Sequence, residues 1–251
     1  MRRALWLCCA IGIAALAFSG CASQGVTPKA TTVFLDPDYA SKSIGTIAIL
    51  PMANVTGETD AVKILGNAIQ GQLPHRTDYK FLTVERVMRK AQAAGMSADL
   101  ESLRRQWMHQ RTFKADLARK LANELKADAF LVGEITQWEE VDLRAEQTGY
   151  PMSSVSCRVY LMEPRTGKKL WEATADKEVK GPYWNPSEEG VTQYVDEAGI
   201  SRGSGGTPVK IVKAPSIREV ADEVAANIVT AIPEKPGQGG SQGDQGGSGE
   251  N

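Results

Sequence analysis

The sequence predicts an α/β fold: a three-layer-like sandwich with a mixed central sheet, a β-meander, and helices packed on the sheet. Three observations predict it. The runs 47–51 (IAILP) and 129–135 (AFLVGEI) are almost continuously apolar, as strands buried on both faces are. Between them lie segments whose apolar residues recur every three or four positions, the mark of a helix with one buried face. Beyond residue 150 the pattern changes to alternating strands joined by turn residues. The order β-α-β-α-α-β followed by a meander argues a sandwich built on a mixed sheet.

The chain opens with Arg2 and Arg3, followed by an apolar run from Ala4 to Phe18. That run is shorter than the about 20 residues a bilayer span needs. Phe18-Ser19-Gly20-Cys21 then resembles the lipobox of a bacterial lipoprotein signal, with Phe18 where Leu is usual. The resemblance implies that residues 1–20 are a signal peptide cut before Cys21, whose sulfur and new amino group are acylated. Two or three acyl chains there would make a lasting anchor, at about 0.8 kcal/mol per buried methylene. An ordinary secretory signal cut nearby is the other reading. Ala22 stands where an Asp would have resembled an inner-membrane retention signal, which implies the outer membrane with the domain facing the periplasm. Residues 21–43 are mostly polar, carry Pro28 and Pro37, and read as a lipidated flexible tether in which 33–35 can form a short edge strand.

The α/β domain is expected over 44–232. After the strand at 47–50, Pro51 and the turn formers Asn54 and Gly57 lead into a helix from about 60 to 73, with Val62, Leu65, Ile69 and Leu73 on one face and Pro74 as its stop. Residues 79–84 read as a second strand. A helix from about 84 to 94 is capped by Gly95, and a further one opens at Ser97 and runs to about 109. Lys114 to Lys126 places Leu117, Leu121 and Leu125 along one stripe. The strand at 129 continues through Trp138 to Val141, residues 147–151 turn, and the strand around Cys157 returns antiparallel. A hairpin turn at 163–168 leads to a last strand with Leu170, Trp171 and Ala173.

Residues 181–214 break this regularity with Pro182, Pro186, Pro208 and six glycines. A loop this long in a compact domain is either functional or disordered. Its Tyr183, Trp184 and Tyr194 make it a candidate partner surface. From Ser216, an N-cap with Glu219 at the capping-box position, a helix runs to 232 along Ile217, Val220, Val224 and Ile228. Residues 233–251 are Gly/Gln/Ser-rich and lack the apolar side chains a core needs, so they read as a disordered tail.

Losing Arg2 and Arg3 with the leader takes the formal charge from −1 to about −3, so no basic excess points to nucleic acid. Of four cysteines, Cys8 and Cys9 lie in the leader and Cys21 is the acylation candidate. Cys157 is left alone on the buried face of a strand, where it can neither pair nor act. His75 and His109 have no companions at metal-ligand spacing. Gly199-Ile200-Ser201-Arg202-Gly203 matches G-x-S-x-G, but a nucleophile elbow needs a sharp strand-to-helix turn and a later His, and neither follows. Phosphate-loop and dinucleotide fingerprints are missing too. The expectation is a protein that is not an enzyme and takes no cofactor or metal.

Three stretches carry a wider resemblance. Ile47-Ala48-Ile49-Leu50-Pro51-Met52-Ala53-Asn54-Val55-Thr56-Gly57, Ala127-Asp128-Ala129-Phe130-Leu131-Val132-Gly133-Glu134-Ile135 and Arg165-Thr166-Gly167-Lys168-Lys169-Leu170-Trp171 resemble, in order and spacing, motifs of a group of envelope lipoproteins. The group includes the curli-secretion channel lipoprotein (CsgG), Pel-type exopolysaccharide-export lipoproteins and penicillin-binding-protein activators, whose α/β domains are similar to the N-terminal domain of TolB. The motifs describe strands and turns rather than chemistry, so the resemblance implies the fold more firmly than the task.

Two functions follow from it. One is an accessory or assembly lipoprotein of an outer-membrane secretion, export or surface-structure system, working as a monomer or a homo-oligomeric ring. No pair of alternating strands of about ten residues supports a self-inserted pore. The alternative is a regulator that docks on a periplasmic enzyme such as a cell-wall synthase. A 22-residue tether reaches roughly 75 Å when extended, which makes that distance uncomfortable. A hydrolase using Ser201 is a third reading.

Overall fold

The computed structural model describes residues 30–144, 146–186, 200–202 and 208–236, with backbone only for 200–202 and 208–210. Cys21, Tyr194, the leader and most of the C-terminal tail lie outside the described residues. A seven-stranded mixed sheet forms the middle layer. Its strands are β1 (Thr31–Leu35), β2 (Thr46–Ile49), β3 (Ala53–Asn54), β4 (Lys80–Leu82), β5 (Ala129–Val141), β7 (Met152–Met162) and β8 (Lys169–Lys180), with β6 (Leu143–Arg144) leaving it. The spatial order is β1-β8-β7-β5-β2-β4, with the short β3 continuing beside β5. β2 lies parallel to both β4 and β5, whereas β5, β7, β8 and β1 pair antiparallel. This is the mixed sheet that the buried runs and the meander predict.

The helices are α1 (Ala61–Gln72), α2 (Val84–Ala93), α3 (Ser97–Gln110), α4 (Ala115–Leu125) and α5 (Ile217–Ala231). Strand alternation divides the core between two faces. Ile47, Leu131, Ile135, Val159, Leu161 and Trp171 face α1 and α5. Ala48, Leu50, Phe130 and Val132 face α2, α3 and α4. Each helix lies within a residue or two of its expected span. The α2 end is a Schellman motif: Gly95 takes φ +69°, its N–H donates to Gln92 O at 3.0 Å, and Met96 N–H donates to Ala91 O at 2.7 Å. Two caps differ from expectation. Met96 rather than Ser97 occupies the α3 N-cap, and Ser216 caps α5 by position without a side-chain hydrogen bond.

The fold begins earlier than the sequence suggests. Residues 31–35 lie within the expected tether 21–43 and pair with β8 as β1, the edge strand expected at 33–35, and Tyr39 behind them is buried. The reason is packing: β1 closes the sheet over Trp171, which is fully buried and donates Nε1–H to Thr32 Oγ1 at 3.4 Å. The loop expected at 181–214 also contains structure. β10 (Pro208–Val212) pairs with β9 (Ile200–Arg202) and with β6 in a second, three-stranded sheet.

The three motif stretches hold this frame together. Asn54 organises the loop after β2: its Oδ1 accepts from Thr56 N–H at 2.9 Å, and its Nδ2 donates to Glu58 O. Gly57 then takes φ +87°. Asp128 Oδ2 accepts from Gly45 N–H at 3.0 Å and Thr46 N–H at 2.9 Å, pinning the start of β2 to the start of β5. Gly133 has the close neighbours its place in a central strand predicts. A Cβ there would stand 2.7 Å from Met52 Cε and 3.2 Å from Arg158 O.

Candidate functional site

β5, β7 and β8 are twice the length of an ordinary strand, and their far ends form a tip at which β5 beyond Ile135 becomes half-buried or exposed while Ser153 and Val155 of β7 stay buried on the α5 side. The ladder continues beyond the regular strands. Gly181 N–H donates to Pro151 O at 2.7 Å, and Gly149 and Trp184 exchange backbone hydrogen bonds of 2.9 and 2.7 Å. This pairing sets Tyr150 beside Tyr183, their ring centroids 5.0 Å apart. Both rings are half exposed, at 50% and 48%. Asp142 ties the same end to the chain entering α5, accepting from Ala214 N–H and Lys213 Nζ at 2.8 Å each.

The sequence singled out Tyr183, Trp184 and Tyr194 as a partner surface. Tyr183 lies on the surface. Trp184 does not: it is only 8% exposed, because the bridge to Gly149 folds it inward. Tyr194, like Cys21, lies outside the described residues. Tyr150 was missed, because only the pairing of two segments more than thirty positions apart places it against Tyr183.

A second surface lies at the carboxyl ends of β2 and β4, where open α/β sheets gather ligands. Pro51, Met52, Met88, Leu100 and Met108 line a groove of about 460 Å³ with Arg104 and Glu101 on its rim. Methionines suit an irregular partner surface because the thioether chain adapts its shape. Arg104 is held there by a two-pronged pair with Glu101 at 2.8 and 2.9 Å.

A larger hollow of about 660 Å³ lies between Arg76 and the end of α5. Its principal charged group is engaged in folding. The Arg76 guanidinium donates to the carbonyls of Val229, Ile232 and Pro233 at 2.6–2.9 Å, closing the open end of α5. Asp78 orients it through bonds of 2.7 and 2.9 Å, and these hold the Asp78 carboxyl below its ordinary range. On the opposite sheet face, buried Glu134 pairs with Arg111 and accepts from Tyr160 at 3.2 Å.

The remaining chemical candidates are dispersed. Cys157 is 1% exposed, and burial, with Asp176 nearby, pushes its thiol up to about 12. His75 and His109 are exposed. Ser201 lies within β9 opposite Val209, on a strand rather than at a strand-to-helix turn. Among the described residues no cluster of three or more His, Cys, Asp or Glu is placed to hold a metal ion. None of the described helices is long and apolar enough to cross a membrane.

No protein-family model matches the chain, and no curated protein matches it. Solved structures of similar fold exist at low identity. Lipoprotein GNA1162 from Neisseria meningitidis superposes with a TM-score of 0.41 at 19% identity, over 55% of this chain and 84% of that one. The PelC dodecamer from Paraburkholderia phytofirmans gives 0.39 at 13% identity, over 80% and 95%. The LpoB C-terminal domain from Escherichia coli gives 0.36 at 11% identity, over 54% and 84%. Each score lies below 0.5, so these are likenesses and assign the chain to no group.

Proposed function

We propose that this chain is a lipid-anchored envelope protein, held by acyl chains on Cys21 at the outer membrane with its domain in the periplasm. It serves there as an accessory or assembly component of an export, secretion or surface-structure system. It works by binding protein partners, other copies of itself among them, rather than by catalysis. One observation carries this reading. β1 begins at Thr31, so only nine peptide steps separate Cys21 from the first described residue, Ala30. Fully extended, those steps span about 30 Å, less than half the reach of the longer tether first expected. A domain on so short a lead works at the membrane face. The alternative, a regulator of a cell-wall synthase, needs a reach across the periplasm that this lead does not give.

The test is in-cell crosslinking of the full chain, with the mature N-terminus read by mass spectrometry. A diacylglycerol thioether on Cys21 and crosslinks to outer-membrane components are expected, and a Cys21→Ser protein should leave the membrane fraction. Recovery of a wall synthase as the main crosslinked partner would move the assignment to the regulator.

A further inference from the structure

The tether is short, and the direction in which it leaves the fold is fixed. β1 is antiparallel to β8, with Thr31 opposite Thr174 and Leu35 opposite Trp171. Followed backward from Leu35, the chain therefore heads toward the carboxyl end of β8, which is the tip. Ala30 stands level with Ala175, and Tyr183 lies eight residues further along, an overhang of about 26 Å at strand rise. The nine steps from Ala30 to Cys21 span about 30 Å at most. Reach and overhang nearly match. When the tether runs along the strands, Cys21 can enter a bilayer only if the tip meets that bilayer too.

The tip has side chains for such a contact. Tyr150 and Tyr183 are large, half exposed and in contact at the apex, their rings tilted by 57°. A tyrosine ring with its hydroxyl suits the boundary between headgroups and acyl chains. Charge gives no attraction here, and Glu139 and Glu140 near the end of β5 are exposed carboxylates. Lys180 pairs with Glu178 at 3.1 Å, Lys213 pairs with Asp142, and Arg144 is matched in the same turn by Glu146. The contact therefore needs an interface rather than an anionic surface.

We infer that the tip, with Tyr150 and Tyr183 at its apex, seats in the headgroup region of the bilayer that carries the Cys21 acyl chains. This docks the domain upright at two points. The inference rests on the reading of Cys21 as the acylation site. Because β2 runs parallel to β5, the Met52–Met88–Met108 groove then opens on the membrane-facing side of the domain, set back from the tip by the far half of β5.

The test uses the lipidated full chain in phosphatidylethanolamine vesicles. An environment-sensitive fluorophore is placed on Thr148→Cys at the apex, or on Arg165→Cys in the turn at the opposite end. Cys157 is buried and Cys21 is blocked, so each variant labels once. The apex probe is expected to shift to the blue and to be quenched by brominated lipid, while the Arg165 probe does neither. Adding Tyr150→Ala and Tyr183→Ala should abolish the apex shift with the acyl groups still attached and the thermal melt preserved. Replacing part of the lipid with phosphatidylglycerol should leave the shift unchanged. A water-exposed apex probe on a chain whose Cys21 acylation is verified by mass overturns the docking inference alone. An unmodified Cys21 overturns the anchoring reading and the inference with it.

Discussion

Arg76 shows how one side chain can stand in for several backbone partners. Without it, the carbonyls of Val229 and Ile232 would lose this donor, Pro233 O would keep only the Tyr79 hydroxyl, and Asp78 would lose the cation that lowers its pKa. Because the folded Asp78 pKa is lowered, its contribution to stability is complete above the unfolded value and disappears as pH falls through the folded one. Denaturant stability should thus decline from about pH 5 toward pH 2, and Asp78→Asn should flatten that decline. Arg76→Ala should cost about 2–3 kcal/mol at neutral pH, seen as a lower urea midpoint with the slope unchanged. Gly133 is constrained from the opposite direction, by lack of space. Gly133→Ala should cost about 1–2 kcal/mol, with Met52 swinging aside, and Gly133→Val more because Arg158 O is backbone and cannot yield. Thermal melts of the two variants would rank them.

Legibility differed by element, for physical reasons. α1, α2, α4 and α5 were visible because a buried stripe repeats at helical spacing, and β2 and β5 because burial on both faces leaves continuous apolar runs. The hairpin between β7 and β8 was visible through Gly167, which takes φ +71°. β1 was visible in part: Val33-Phe34-Leu35 could be read as a short edge strand, but its place in the fold needed β8 as the partner. The candidate site was less legible still. Tyr183 could be read from composition, whereas Tyr150, the burial of Trp184 and the pairing of Glu134 with Arg111 depend on contacts between distant segments. A test at this scale removes residues 31–35. Trp171 and the β8 edge would then face water, so a lower melting temperature and concentration-dependent association by light scattering are expected. A monomeric variant with an unchanged melt would show that β1 is dispensable to the sheet.

For the whole molecule, the quantity that the proposed anchoring makes decisive is the distance between Cys21 and the fold. Inserting about 20 Gly/Ser residues after Gln24 would add a flexible span of about 25 Å root-mean-square without touching any packed residue. The lengthened protein should remain membrane-bound and equally stable, yet tumble more freely. Fluorescence anisotropy of the apex probe on vesicles would report this as a drop. If close apposition to the membrane matters in the cell, crosslinks to outer-membrane partners should decline in parallel.

The place of β1 in the sheet also sets an order in time. Synthesis runs from the N-terminus, so this strand is among the first parts of the mature chain to exist. Its partner Trp171 lies 139 residues downstream of Thr32. Such a distant pairing is slow to find, because a long loop must close before any contact rewards it. The parallel strands and their helices can assemble while β1 waits, and the sheet is sealed only after β8 has arrived. The end of the domain nearest the proposed anchor is therefore made early and locked late.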